Sequence, residues 1–202
     1  MAKQAPETKT SEATSDGRRQ RSDASRKRIV EAMLELAREG DPSPSAELVA
    51  DRAGVGRRTV FRLFSDMESL YREMHATMLA RIDHIRSMPI EGATWRARFD
   101  RLIERRITLY EEILPIKMAA DVHRWHSAFL RKAQAGNSAT LREIMLFVLP
   151  AQIKNDSELV EALDVALSIE TWERLRKDRA LSVKAARRVV ERMVTALVEG
   201  AP

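Results

Sequence analysis

Three arginines and a threonine stand close together in the first third of the chain, as Arg57, Arg58, Thr59 and Arg62. If these positions form a helix, Arg58 and Arg62 share a face because they are four residues apart, and Val60 lies on the opposite side. A guanidinium group pairs bidentately with guanine, and a threonine hydroxyl bonds a phosphate or touches a thymine methyl group. These residue types therefore predict contact with a polyanion, and DNA is the first candidate.

The elements that position these residues are visible in residues 45–64, which read SAELVADRAGVGRRTVFRLF. Ser45 is a residue type that caps a helix, and Gly54 tolerates the positive φ of a sharp turn. The segment therefore predicts helix 46–53, a tight turn and helix 57–64, which is a helix-turn-helix. The alternative is an ordinary amphipathic helix with a solvated basic face, and the capped helix and glycine turn before it argue against that.

A second basic cluster lies nearer the start of the chain. The net charge is +5, and the stretch 18–28 holds six basic residues against one acid, which equals that excess. Residues 1–22 are polar without periodicity, so we expect a disordered basic tail. Its arginines Arg18, Arg19 and Arg21 then either enter a minor groove as an arm or add only non-specific attraction to phosphates.

The composition excludes several classes of protein. The 202 residues contain no cysteine, which removes disulfide frameworks and thiolate metal sites, and 44% of them are hydrophobic, enough for a sizeable core. Neither an apolar signal core nor a run long enough to span a bilayer is present, so we expect a cytoplasmic protein with no membrane partner. No phosphate loop, nucleophile elbow or HExxH motif occurs, so neither an enzyme nor a cofactor is expected.

The periodicity predicts an all-α chain, because glycines and prolines fall between segments of helical period and no strand alternation occurs. Nine helices are expected, at 25–39, 46–53, 57–64, 67–88, 94–113, 116–135, 138–152, 157–178 and 182–199. The corresponding division is the tail 1–22, a helix-turn-helix domain at 23–66 and a helical effector-binding and dimerisation bundle at 67–202.

Residues 26–74 resemble the DNA-binding domain of the tetracycline-repressor (TetR) family of transcriptional regulators. The matching segments are RKRIVEAMLELAREG, LVADRAGVG and RRTVFRLFSDMESLYREM. The resemblance implies an all-helical homodimer that binds DNA through its first three helices and a small molecule through the divergent remainder. It departs from the family at Gly56, Phe61 and Met67, where a serine, a tyrosine and a lysine are usual; the changes remove one helix cap and two phosphate contacts of the family. The expected DNA-binding residues are Ser45, Arg57, Arg58, Thr59, Phe61, Arg62, Arg18, Arg19 and Arg21.

The bundle supplies two further residue sets. Apolar residues of the middle helices predict an effector pocket, with a filled core as the alternative; they are Trp95, Phe99, Met118, Val122, Trp125, His126 and Phe129. Heptad-like spacing near the end predicts a two-fold dimer seam, with packing in the monomer's own core as the alternative; its residues are Leu163, Leu167, Val183, Ala186, Val190, Met193 and Leu197. His123 and His126 do not share one face with Asp121, so no metal site is expected.

These observations predict a homodimer that binds double-stranded DNA at an inverted-repeat operator. The resemblance implies a repressor that a small apolar effector releases, with helix 67–88 as the transmitter between the two functional parts. The alternative is a ligand-independent regulator or architectural DNA-binding protein of the same fold, which would need the basic face and no effector cavity.

Overall fold

The computed structural model describes residues 10–64 and 66–199. Over these residues the chain is helical without a strand, which confirms the all-α prediction. Eleven α-helices and one π-helical turn replace the nine helices expected. Their bounds are α1 Thr10–Arg38, α2 Ala46–Ala53, α3 Arg57–Leu63, α4 Met67–Arg81, α5 Asp83–Arg86, α6 Trp95–Arg124, α7 Ala128–Val148, α8 Ala151–Lys154, α9 Ser157–Ala166, α10 Ile169–Glu173, the π-helical turn Arg174–Asp178, and α11 Val183–Glu199.

The chain divides into two compact units, of which the first ends at Thr77 and the second begins at Met78. This boundary falls inside α4. In the first unit, α2 and α3 pack against α1. The core of this unit is formed by apolar side chains of all three helices with one from α4, namely Ile29, Val30, Leu34, Leu36, Val49, Val60, Phe64 and Leu70.

The tail prediction is wrong from residue 10 onward, because α1 already begins at Thr10. Residues 10–22 contain no proline, and their Glu, Ala, Gln and Arg residues are good helix formers. Helix propagation is far easier than nucleation, so the buried half of α1 at 29–37 provides the nucleus that a polar sequence lacks by itself. The rest of the predicted tail, 1–9, lies outside the described residues.

The second unit has one large core in which α6 is the central helix. Phe99, Leu102 and Tyr110 from α6 are buried with Met145 of α7 and Trp172 of α10. The expected break at 114–115 does not occur, and Pro115 lies inside α6. Proline removes one helical hydrogen bond, but the side chains on either side, Leu114 and Ile116, are buried, and this packing holds the helix together.

The other boundary errors have local causes. The chain turns at 125–127, where Ser127 caps α7 by accepting a hydrogen bond from the Leu130 backbone at 3.1 Å. Gly136 lies within α7 and does not break it. The expected helix 157–178 is interrupted because the Ser168 hydroxyl accepts a hydrogen bond from the Thr171 backbone at 3.1 Å and starts α10. The expected helix 67–88 ends at Arg81, and α5 follows after Ile82.

Candidate nucleic-acid interface

The helix-turn-helix lies where the sequence predicts it. The Ser45 hydroxyl accepts a hydrogen bond from the Leu48 backbone at 3.2 Å, which caps α2. Gly54 ends that helix in the left-handed conformation, with φ 62° and ψ 42°. The Val55 N–H then donates to the Ala50 carbonyl at 3.0 Å, which closes the turn. The sequence therefore sets the direction of α3 through one serine and one glycine.

Helix α3 separates an apolar back from a basic front. Val60 is buried, as is Phe64 directly after the helix. Arg57, Arg58 and Arg62 are exposed, and none of the three forms an ion pair with another described residue. Thus α3 presents an exposed basic front whose three arginines have no ion-pair partner among the described residues.

Phe61 extends this front. Its ring is 55% exposed, and the guanidinium carbon of Arg57 lies 5.8 Å from the ring centroid. A cation above an aromatic ring is held in place by the ring quadrupole. Phe61 therefore positions Arg57 and offers an apolar surface, although it lacks the hydroxyl of a tyrosine.

A basic groove in the first unit joins α1 to the helix-turn-helix. Its volume is about 670 Å³, and it is lined by the polar face of α1, by the turn at Gly54–Gly56 and by residues of α3. Five arginines line it, with Asp23 as the one acid, and they are Arg18, Arg19, Arg21, Arg28 and Arg62. We call this site the α1–α3 groove. Residues 18, 21, 25 and 28 face it together because they repeat at spacings of three and four on one helix.

Hydrogen bonds hold the polar face of α1 in this arrangement. The Ser25 hydroxyl donates to the Arg21 carbonyl at 2.9 Å, and an Arg28 Nη donates to the Ser25 hydroxyl at 3.4 Å. Arg18, Arg19 and Arg21, expected as part of a disordered arm, are therefore helical residues beside α3. Sequence reasoning did not assign Arg28 to the site, although it lies in the basic cluster 18–28 and in the expected helix 25–39; the packing of α1 beside the turn places it in the groove.

Two other arginines of the same region serve the fold. Arg26 donates through Nε to Glu73 at 2.8 Å and through Nη1 to the Leu63 carbonyl at 2.8 Å, and its guanidinium carbon lies 4.4 Å from the Phe64 ring centroid. It thus ties α1 to the end of α3. Arg52 forms two parallel hydrogen bonds to Glu39, so it adds no free charge to the basic front.

The starts of α3 and α4 differ in their caps. Gly56 gives α3 no side-chain cap, as its residue type predicts. At α4, Asp66 accepts hydrogen bonds from the Glu68 and Ser69 backbones at 2.8 and 3.2 Å. Met67 at the start of α4 is 48% exposed and carries no charge for a phosphate.

The predicted effector pocket is not assembled as expected. Trp125 is 73% exposed and Val122 is 52% exposed, and His126 is also exposed. Phe99 is fully buried, whereas Trp95, Met118 and Phe129 are half-buried. Because Pro115 does not end α6, the helix carries residues 118–124 beyond the predicted turn, and Trp125 lies in the exposed connection to α7. None of these seven residues lines the cavity of about 480 Å³ in the second unit that is described below.

The predicted dimer seam is largely part of the core of the second unit. Leu163, Leu167, Ala186 and Val190 are buried there, so their side chains have no surface to offer a second copy. Met193 and Leu197 are half-buried against the same core, and Val183 is 38% exposed. The apolar stripe of α11 thus packs inward against α9, which was the alternative interpretation of the same spacing.

The described ranges contain neither a metal-ligand cluster nor a membrane-spanning helix. Among residues 10–64 and 66–199, no group of three or more His, Asp or Glu side chains is placed to hold a metal ion. No helix within those ranges is both long and apolar enough to cross a membrane.

Comparison with known proteins places the fold. No protein-family model matches the sequence, and no curated protein sequence is significantly similar to it. The structure is similar to the crystal structure of a transcriptional regulator from Rhodococcus sp. Rha1, with a TM-score of 0.67 and 17% sequence identity. The match covers 87% of this chain and 97% of the Rhodococcus chain. At this identity the likeness shows a shared fold.

Proposed function

We propose that this protein is a transcriptional regulator that binds double-stranded DNA sequence-specifically through α3. The observation that carries the proposal is the α1–α3 groove, where arginines of two helices surround the turn of a helix-turn-helix. A helix of this kind fits the major groove, where arginine side chains reach guanine edges. The Rhodococcus protein of the same fold is a transcriptional regulator, which supports this proposal.

The two sets of arginines would have different tasks. Arg58 and Arg62 stand on the exposed front of α3, four residues apart, where base edges are within reach of both. The arginines of α1 lie along about 15 Å of helix beside the turn, a length that spans several phosphates. We assign base recognition to α3 and phosphate contact to α1.

We further propose that the protein binds an inverted repeat as a homodimer. A single helix of seven residues reads too few bases for useful specificity, and two copies related by a two-fold axis read two half-sites. Since four seam residues are buried, the dimer contact must use other side chains. Phe147 is an exposed apolar side chain of the second unit that is available for it. Light scattering at micromolar concentration checks the dimer, and a monomer contradicts it.

Repression with release by an effector is the form of regulation that we propose, as the family resemblance implies. A ligand changes DNA affinity only by binding the DNA-free and DNA-bound forms unequally. The alternative is ligand-independent binding by the same fold. The cavity of the second unit favours the effector, because an architectural protein has no need of it.

Selection of bound fragments from a random DNA pool tests the proposed function. We expect an enriched inverted repeat with half-sites one helical turn apart, about 34 Å between centres. The Arg58→Ala, Arg62→Ala double variant serves as the control and should enrich no sequence. Equal enrichment by both proteins would show that α3 does not read the bases.

A further inference from the structure

Arg106, in the middle of α6, is a buried cation without a counter-ion. Its side chain is 2% exposed. Nη1 donates to the Leu167 carbonyl at 3.1 Å and Nη2 donates to the Leu141 carbonyl, whereas the Nε–H finds no acceptor among the described residues. No described carboxylate lies within ion-pair distance of the group. Backbone carbonyls orient the guanidinium but do not neutralise it.

Such a group is costly for the fold. Removing a charge from water costs several kcal/mol unless an opposite charge compensates it, and a buried donor without an acceptor adds a further penalty. A hydrophobic residue of similar size at this position is often as stable or more stable. The two carbonyl contacts tie α6 to α7 and to the end of α9, but they leave the positive charge of Arg106 without a counter-ion, which an anionic ligand would supply.

A cavity of about 480 Å³ lies next to Arg106, entirely within the second unit. This volume is in the range of pockets that hold small molecules. Its wall combines the Arg106 and Tyr110 side chains with apolar groups from α7, α9 and the segment that follows, namely Leu141, Val165, Leu167 and Ile169. The cavity thus places an apolar patch beside a buried cation, and polar side chains such as Ser138, Ser168 and Thr171 complete its wall.

Tyr110 lies beside the cationic end and shares a hydrogen-bond acceptor with Arg106. Its hydroxyl donates to the Leu167 carbonyl at 2.8 Å, the carbonyl that also accepts from Arg106. Burial raises the pKa of Tyr110 to about 12, so the hydroxyl is neutral at physiological pH and adds no negative charge beside the guanidinium.

The two acids in the wall are already engaged elsewhere. Asp164 accepts a hydrogen bond from Arg142 at 3.2 Å. Glu170 accepts one from Gln134 at 3.2 Å and lies 3.8 Å from the Lys117 ammonium group. Arg174, at the start of the π-helical turn, also lines the cavity and forms no ion pair with another described residue. The positive charge of Arg106 thus remains available to a ligand.

We propose that this cavity binds a small molecule with one carboxylate and an apolar body, and that Arg106 holds the carboxylate. The planar guanidinium matches a carboxylate by charge-assisted hydrogen bonds, and the apolar wall covers the remainder. The consequence for gene regulation rests on the proposed function, because this ligand would be its effector. The binding step itself does not depend on DNA.

Calorimetric titration of the full chain with benzoate and with benzamide at constant ionic strength tests the proposal. The two probes have nearly the same shape and differ in charge, so we expect benzoate to bind about tenfold more tightly or better. Hexanoate and hexanamide repeat the comparison with a flexible body. Equal affinities within both pairs, or no binding of either carboxylate at millimolar concentration, would overturn it.

Two variants locate the site. Arg106→Met keeps an unbranched, flexible side chain and removes the charge, and it should abolish the preference for benzoate while circular dichroism confirms the helical fold. Ser138→Trp leaves Arg106 in place and fills the cavity from α7, so it should abolish binding of both probes. Ala139→Trp adds the same group at the exposed neighbouring position, outside the cavity lining, and should bind like the wild type. Wild-type binding by Arg106→Met and Ser138→Trp would show that the cavity is not the site.

The two proposals fail separately. If benzoate binds with the expected preference but the protein enriches no DNA sequence, only the proposed regulator function is refuted. If the protein enriches an operator and neither carboxylate binds, only the ligand class is refuted.

Discussion

The guanidinium of Arg52 and the carboxylate of Glu39 form two parallel hydrogen bonds, Nη1 to Oε1 and Nη2 to Oε2, each 2.8 Å long. The contact raises the pKa of Arg52 and lowers the pKa of Glu39, chiefly through these hydrogen bonds. Arg52 lies only five residues before Arg57, yet its charge is balanced. Of the four arginines near the turn, Arg52 is therefore paired with a carboxylate, whereas Arg57, Arg58 and Arg62 are not paired with one among the described residues.

Because Arg52 is already paired, it serves as a matched control for the arginines of α3 in DNA binding. Arg58→Ala and Arg62→Ala should each weaken operator binding by about 1–3 kcal/mol per half-site, because each removes a base contact, and should relax specificity at one position. Arg52→Gln should leave operator affinity nearly unchanged. Fluorescence anisotropy with a labelled operator measures all three, and full affinity in both alanine variants contradicts the assignment of α3.

The α1–α3 groove predicts a change in salt dependence. Arg18→Gln, Arg21→Gln and Arg28→Gln together should flatten the plot of log affinity against log salt, by about 0.9 for each phosphate that is no longer neutralised. Sequence preference should be retained, since these residues contact phosphates. Lys27→Gln removes an exposed charge from the same helix outside the groove lining and should have a smaller effect. An unchanged slope in the triple variant would show that α1 does not touch DNA.

The helical state of residues 10–22, the start of α1, can be tested without removing a charge. Ala24→Pro should break α1 before its buried half, because proline inside a helix costs about 3 kcal/mol. Circular dichroism should show reduced helicity, and operator affinity should fall because the arginines no longer share one face. Ala24→Ser, which a helix tolerates, is the control. If the proline variant binds as tightly as the wild type, charge alone is sufficient and the groove geometry is not needed.

Gly54 predicts a backbone effect on stability. Its φ of 62° is unfavourable for other residues, and a Cβ at this position would meet no atom within 4 Å. Gly54→Ala should therefore cost about 1–2 kcal/mol from backbone conformation alone. Gly56→Ser, at φ −70°, should instead stabilise by a few tenths of a kcal/mol by capping α3. Urea unfolding measures both, and an unaffected Gly54→Ala protein would contradict the left-handed turn.

Tyr110 predicts a dependence of stability on pH. Burial raises its pKa from 10.0 to about 12, and the positive charge of Arg106 offsets part of that increase. The folded state therefore favours the neutral hydroxyl. Its contribution to stability is complete below pH 10 and falls as the pH rises from 10 towards 12. The free energy of unfolding of the wild type relative to Tyr110→Phe should therefore be smaller at about pH 11 than at about pH 9. A constant difference between the two proteins would show that the hydroxyl titrates normally.

Local chemistry alone was sufficient to predict the helix-turn-helix. Ser45 caps α2, Gly54 adopts the left-handed turn, and Val60 and Phe64 are buried while Arg58 and Arg62 are exposed. Each of these features depends on residues within about one turn of helix, which is the range over which capping, positive φ and amphipathic spacing act. The all-helical class follows from the same short-range patterns.

Tertiary structure decided what those patterns leave open. Residues 10–22 are helical because the buried half of α1 nucleates them, and Pro115 remains inside α6 because Leu114 and Ile116 are buried on either side. An apolar stripe specifies a face but not its partner, so the α11 spacing could not distinguish the monomer core from a dimer seam. Arg106 had no local signature at all, since its burial, its missing counter-ion and its cavity arise from segments 35 and 61 positions away in the chain.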